Sequence, residues 1–294
     1  MRRAALSILL VAAVVGMAST AGAYDYLYTN DPAMTHDAGT FGIKANVMFM
    51  MSDSWYDHDG NSMTYDEFAE ALGETLKNAK MSGMWFPIDL FYSVTDQMEI
   101  GVQPKFLMDK MTADDMDDYE ATGLGDTWVD VKYMATMEPM MAVRAGVKVP
   151  TGDDEGDKDN GPTGEGQMDV DAAVMIGMPA GPGTFDLAAG YRLRMENTDA
   201  KWKPGNEIHF AACYTYFIGE MMNLRIGADG FFGSDYEDDG KLVDDSGSNV
   251  VYITPGFEYM MDNGMSVGVD MHYPLMGTNI DALWGFGAYV SFGS

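Results

Sequence analysis

Charged side chains recur at alternate positions in several neighbouring apolar segments, a spacing that could support ionic chemistry inside a fold. Successive side chains of a strand leave it on opposite faces, so these residues would share one face and opposite charges on adjacent strands could pair. They are Asp126, Asp130, Lys132, Arg144, Lys148, Asp169, Asp171, Arg192, Arg194, Glu207 and Arg225. Two interpretations follow. The residues either fill and rigidify an interior as ion pairs, or line a constriction on a conduction pathway.

The first long polar connection contains a helix signal. Thr64 and Glu67 have the spacing of a capping box, and Phe68, Leu72 and Leu76 recur at helical spacing. The pattern predicts an amphipathic helix of about three to four turns. Such a helix would either cover or plug an opening as a lid, or pack on neighbouring loops at the surface.

Metal and cofactor signals are weak. The run 57–61 resembles the start of an EF-hand loop, but Ser62 stands where glycine is needed and Phe68 where a bidentate glutamate is needed. The 28 methionines would suit Cu(I), yet methionine is also a flexible apolar filler. We therefore predict no metal site and no cofactor, and only loose bridging of divalent cations by the loop aspartates.

Catalysis and nucleic-acid binding are both disfavoured. None of the four histidines neighbours a serine in a nucleophile-like arrangement, so we predict no enzymatic site. The formal net charge is -29 at pH 7, and the acidic residues concentrate in long loops. Such loops repel polyanions, which excludes nucleic acid as a partner.

Period-two alternation predicts the elements that position these residues. In the last segment Trp284, Phe286 and Val290 fall on one face, while Gly285 and Ser291 fall on the other. The same pattern predicts twelve strands, at 40–51, 81–94, 98–109, 124–136, 140–150, 167–178, 184–195, 206–219, 221–233, 249–261, 265–273 and 280–292.

The connections between these strands alternate in length. Long ones are predicted at 52–80, 110–123, 151–166, 196–205, 234–248 and 274–279, and turns of two to five residues separate them. Short turns on one side and long loops on the other are typical of a bacterial outer-membrane barrel, whereas a soluble sandwich has no reason to alternate in this way. The fold class is therefore all-β, a transmembrane antiparallel up-and-down β-barrel of about twelve strands.

The N-terminus has the pattern of a secretory signal. Arg2 and Arg3 precede an apolar run over 4–18, and the small-residue site Ala21-Gly22-Ala23 follows. We expect Sec-type export with cleavage after Ala23, a periplasmic segment over 24–39, and one barrel domain over 40–294. The expected location is the bacterial outer membrane, with membrane lipid and lipopolysaccharide as neighbours and the oligomeric state left open.

The central third of the chain resembles a family of outer-membrane transporters named for the meta-pathway of phenol degradation. The matching runs are Gly123-Leu124-Gly125-Asp126, Gly146 to Asp153, Thr163 to Val170, and Gly190-Tyr191-Arg192. The resemblance implies a barrel that passes small hydrophobic or aromatic molecules, and it transfers no individual functional residue.

These observations predict a passive outer-membrane channel for small apolar or aromatic solutes. The constriction would be set by the lysines and arginines named above, and the 52–80 connection would gate it. The alternative is a non-conducting structural or adhesive barrel whose acidic loops bind cations.

Overall fold

The computed structural model describes residues 33–73, 75–114, 117–156 and 160–293. The strands are β1 (Phe41–Ser52), β2 (Ser54–Tyr56), β3 (Ser62–Thr64), β4 (Lys80–Thr95), β5 (Met98–Gln103), β6 (Lys105–Thr112), β7 (Tyr119–Leu124), β8 (Thr127–Met137), β9 (Met140–Val149), β10 (Asp169–Pro179), β11 (Gly183–Arg194), β12 (Trp202–Lys203), β13 (Glu207–Ile218), β14 (Met222–Gly233), β15 (Glu237–Asp238), β16 (Lys241–Leu242), β17 (Asn249–Met260), β18 (Met265–Thr278), β19 (Ile280–Asp281) and β20 (Trp284–Gly293). The described residues include one helix, α1 (Tyr65–Ala71), which lies between β3 and β4.

Fourteen of these strands form one antiparallel sheet that closes on itself. Neighbours in the sheet are neighbours along the chain, and β1 pairs with both β4 and β20. Two staves of the barrel each consist of two consecutive strands. β5 and β6 form one stave, because both pair with β4. β7 and β8 form the next, because β7 pairs with β6 and β8 pairs with β5. The break at Pro104 has a physical cause, since proline has no N–H to donate to the ladder. The result is a closed barrel of twelve staves, which confirms the predicted fold class.

The two faces of the strands separate apolar from polar residues as the alternation predicts. On β20, Phe286, Val290 and Phe292 are exposed on the outer face, whereas Tyr289 between them is buried inside. An apolar outer face on a closed barrel suits lipid, where every backbone group must be paired within the protein. Among the described residues, no helix is long and apolar enough to cross a membrane.

Four strand boundaries differ by three or more residues from the sequence-based expectation. The staves around 110–123 extend further, to Thr112 and from Tyr119, because Lys110 pairs with both Asp118 and Glu120 across the ladder. The long connection predicted at 274–279 is wrong, because β18 continues to Thr278 instead of ending at 273. The last strand begins at Trp284 instead of 280. Residues 280–283 leave the barrel wall, and β19 pairs with β2 in a separate small sheet.

The helix in the first long connection is shorter than expected. The capping box forms as predicted, with the Thr64 side chain accepting from the Glu67 N–H and the Glu67 carboxylate accepting from the Thr64 N–H. The expected length of three to four turns is wrong, because α1 spans seven residues. It is followed by Gly73 in the left-handed conformation, φ +80°, a common way for helices to end. Leu76 therefore lies beyond the helix.

Candidate functional site

The barrel interior contains an ionic network on one wall, centred on two buried cations. The ammonium of Lys148 contacts Glu165 and lies 2.7 Å from Asp169. The guanidinium of Arg194 lies 3.0 Å from Asp169, 2.5 Å from Glu165 and 2.7 Å from Glu207. Both cations are about as buried as a side chain can be, at 1% and 2% exposure. The two cations thus share Glu165 and Asp169, which removes much of the cost of burying charge.

The network continues one step further along the strands. Arg192 lies 3.2 Å from Glu207 and 3.5 Å from Asp171, and its guanidinium stacks 4.8 Å above the Trp128 ring. His209 contacts the same Asp171 carboxylate at 2.7 Å. We call the following nine residues the ionic network: Asp126, Lys148, Glu165, Asp169, Asp171, Arg192, Arg194, Glu207 and His209.

Glu165 was not among the predicted residues, since it lies in a loop and has no strand alternation to mark it. Its backbone N–H donates to Asp126, 3.0 Å away, and its carbonyl accepts from the Asn197 side chain. Burial alone would raise the pKa of Glu165, but Arg194 and Lys148 outweigh it and hold that pKa well below the usual range. The glutamate is therefore a charged bridge from a long loop to the barrel wall.

The other predicted interior residues lie outside this network. Asp130 and Arg144 form a bidentate pair, with both oxygen–nitrogen distances close to 3 Å, at 2.9 and 3.0 Å. Lys132 lies 3.0 Å from Glu99. Arg225 lies apart from them on β14, where its guanidinium stacks 5.3 Å from the Tyr289 ring. The structure thus brings seven of the eleven residues into one network and places four elsewhere in the interior.

The opposite side of the lumen is apolar near the long-loop end, which the sequence did not predict. Alternate residues of β1, β4, β6 and β7 meet residues of β14 and β17, although β18 and β20 separate those groups around the barrel. Ile280 and Leu283, which lie between β18 and β20, join these groups inside the barrel. We call this set the apolar cluster: Met48, Met50, Trp85, Leu107, Ala121, Phe231, Val250, Tyr252, Ile280 and Leu283.

The described start of the chain lies against the short-turn end of the barrel. Ala33 is buried with Trp128, Met175 and four further alanines in another interior cluster. The Thr35 hydroxyl donates to the Asp96 carbonyl at 2.6 Å. His36 lies 2.9 Å from Glu99 and stacks on Phe91. Residues 33–36 thus line the mouth that carries the short turns.

The three predicted lid residues occupy different environments. Phe68 stacks on Trp55 with ring centroids 5.4 Å apart, Leu72 is 52% exposed, and Leu76 is buried. Leu76 shares a cluster with Met81 of β4 and Met111 of β6, near the ends of those strands. Helix α1 therefore rests on the rim of the long-loop end.

The calcium-like run forms a self-contained turn. The Asp57 carboxylate accepts from the backbone N–H groups of Asp59 and Asn61, at 2.9 and 2.8 Å. These bonds, led by that from Asn61, lower the pKa of Asp57. In the described part of the chain, no group of three or more histidine, cysteine, aspartate or glutamate residues could hold a metal ion.

Comparison with known proteins places this geometry among outer-membrane barrels. A family model described as "Putative MetA-pathway of phenol degradation" matches residues 15–288. Similar solved structures include an outer membrane channel from Pseudomonas putida F1, with a TM-score of 0.74 and 15% identity over 92% of this chain and 100% of that one. The translocator domain of the autotransporter NalP from Neisseria meningitidis has a TM-score of 0.57 and 9% identity over 95% and 97%. No curated protein matches the sequence.

Proposed function

Because the chain belongs to the family described as "Putative MetA-pathway of phenol degradation", we propose that it is a passive outer-membrane channel for small apolar or aromatic solutes. The observation that supports this most strongly is the apolar cluster inside the barrel. Ligand pockets for apolar molecules are lined mainly by hydrophobic and aromatic side chains. Trp85, Phe231 and Tyr252 supply such a lining, and the Trp85 indole N–H donates to the buried Asp109 carboxylate at 2.6 Å.

The ionic network has a different part in this proposal. Its buried cations are matched by carboxylates on adjacent strands and on the loop that carries Glu165. We propose that this wall narrows the lumen by filling it and stays rigid, so that solutes pass along the apolar side. The pair Asp130–Arg144, together with Lys132 and Arg225, would extend the narrowing toward the short-turn end.

The fold similarity to an outer membrane channel supports the class of function, since that protein is described as a channel. The solute class rests on the lining. Export with cleavage after Ala23 belongs to the same proposal, although residues 1–32 lie outside the described residues. Divalent bridging between the acidic loops and lipopolysaccharide is a further part of it.

A non-conducting barrel is the second candidate, and the occupied mouths favour it. Ile280 and Leu283 are buried at the long-loop end, and Ala33 is buried at the short-turn end. A barrel filled in this way could serve as a structural or adhesive protein. The uptake experiment below separates the two candidates.

The test is uptake by porin-deficient Gram-negative cells whose lipopolysaccharide layer is intact. Cells that express the chain should take up a labelled aromatic hydrocarbon several-fold faster than cells with an empty vector, while uptake of a sugar of similar size stays unchanged. Heat-modified gel mobility confirms that the barrel is folded. No acceleration for either solute, or acceleration for the sugar alone, would contradict the proposed channel.

A further inference from the structure

The segment 279–283 closes the long-loop end from within and is held by two other loops. Ile280 and Asp281 pair with Tyr56 and Trp55 as β19 and β2. The Ala282 N–H donates to the Ser54 carbonyl at 3.0 Å. The Asn279 side chain donates to the carbonyls of 245 and 247, in the connection between β14 and β17. We call 279–283 the gate segment.

The inner side of the gate segment fills the apolar half of the lumen. Ile280 has no exposed surface and Leu283 has 3%. Both belong to the apolar cluster, which joins residues of β1 such as Met50 to residues of β17 such as Tyr252, although β18 and β20 separate those strands in the barrel wall. A solute that follows the apolar lining would have to displace these two side chains.

One hydrogen bond ties the gate segment to helix α1. The Tyr65 hydroxyl donates to the Asp281 carboxylate at 2.7 Å, and both side chains are buried. The other carboxylate oxygen of Asp281 is buried and has no hydrogen-bond partner in the part of the chain that the structure describes. A carboxylate held in this way loses hydration that one hydrogen bond does not replace.

Among the described residues, no basic side chain compensates the charge of this carboxylate. Tyr65 comes from α1, Met81 of β4 lies against its hydroxyl, and Trp55 of β2 pairs with Asp281 along the backbone. The other ionisable group beside the Tyr65 phenol is Asp53, which is acidic. Burial raises the pKa of Asp281 to about 7, even though the hydrogen bond from Tyr65 lowers it. Besides its backbone pairing with β2 and its apolar contacts, the closed position of the gate segment is held by the Tyr65–Asp281 hydrogen bond and opposed by one buried charge.

We propose that the gate segment controls permeation along the apolar side of the lumen, and that the Tyr65–Asp281 hydrogen bond is the latch that keeps it closed. This inference rests on the proposed channel function. When the latch opens, Asp281 gains water, and Ile280 and Leu283 leave the apolar cluster. The barrel strands keep their register, because β19 is not part of the barrel sheet.

The test compares two substitutions with opposite expected effects, in purified full-length protein in planar bilayers at pH 8. Tyr65→Phe removes the donor and leaves the buried carboxylate without a partner, so the open fraction should rise about tenfold. Asp281→Asn removes the buried charge but keeps an oxygen that accepts from Tyr65. Its open fraction should fall below that of the wild type.

Matched controls lie at the short-turn end, away from the gate segment. Tyr214→Phe removes a hydroxyl that donates to the Ala180 carbonyl, Asp262→Asn removes a carboxylate from the turn between β17 and β18, and both should leave the open fraction unchanged. Suppose that the wild type conducts, but Tyr65→Phe and Asp281→Asn change the open fraction in the same direction or not at all. The proposed latch is then wrong, whereas the proposed channel function is still supported. If the wild type and Leu283→Gly are both silent although correctly folded, the channel function fails together with the gate.

Discussion

On the ionic network a cation such as Arg194 contacts three carboxylates, whereas across the lumen Leu283 lies among hydrocarbon and aromatic side chains. Both regions fill the interior, but their energies depend on different things. An ion pair buried on neighbouring strands is strongly destabilised when one partner is lost. An apolar contact made by a loop can be broken by moving the loop. The cost is the free energy of exposing the buried apolar surface to water, and no unpaired charge remains. The comparison teaches that a barrel can keep one wall rigid and still have a removable filling on the other.

The largest expected effect is the loss of stability on breaking the ionic network. Arg194→Met should lower the free energy of unfolding by about 3–5 kcal/mol, because Asp169, Glu165 and Glu207 lose a shared cation. Urea unfolding of the barrel in detergent, followed by gel mobility, measures the change. Lys201→Met is the matched control, since the ion pair with Asp239 is exposed and such pairs contribute about 0–1 kcal/mol. Equal losses in the two variants would remove the distinction between a rigid wall and an ordinary surface.

Truncation of a side chain in the apolar cluster should change solute uptake more than it changes the stability of the barrel. Leu283→Ala removes buried side-chain atoms and should destabilise the closed position of the gate segment by about 2–3 kcal/mol. Uptake of an aromatic hydrocarbon should rise, while the urea midpoint changes little because the barrel ladder does not include residue 283. A lowered urea midpoint with unchanged uptake would mean that the cluster serves stability alone.

The pH dependence of opening should follow Asp281. Its pKa is raised to about 7 in the closed position and should be about 4 when the carboxyl is hydrated. The stabilisation of the closed position is then fully present below about pH 4 and is lost as the pH rises through about 7.

Between pH 5 and pH 8 the open fraction should therefore increase, by roughly eighty-fold on this linkage argument. Bilayer conductance at several pH values measures it. Asp281→Asn should abolish the increase, and a steeper opening on acidification would contradict the assignment. The Glu165 contacts of the ionic network should change little over the same range, because Arg194 and Lys148 hold the pKa of Glu165 well below it.

The smallest effect is expected from the helix that carries the latch residue. Thr64→Ala removes the capping box of α1 and should cost about 1 kcal/mol of helix stability. The open fraction should rise about threefold to fivefold at most, and less than in Tyr65→Phe. Limited proteolysis between β3 and β4 reports the loosening directly. A larger effect than that of Tyr65→Phe would place the latch in the helix start instead of in the hydrogen bond.

Much of the fold, and the charged side of the barrel interior, could be predicted from the alternation of side chains alone. A residue such as Lys148 or Arg192 is marked by its neighbours in the same strand, and register then brings Asp171 opposite Arg192. The pairing of Asp130 with Arg144 follows from the same local rule, although Lys132 is the residue directly opposite Arg144. Long side chains reach diagonal partners, so register predicts the neighbourhood of a charge better than its partner.

By itself, the sequence determined the features that depend on local spacing: the two faces of each strand, the twelve staves, the capping box of α1, and the interior placement of charges such as Arg194. Only the tertiary structure decided what the loops do. It brings Glu165 into the ionic network, stops α1 after Ala71, and folds Ile280 and Leu283 into the lumen beside Tyr65 and Asp281. The physical reason is that a strand's side-chain directions repeat every two residues, whereas a loop's direction is set by contacts with residues far away in the chain.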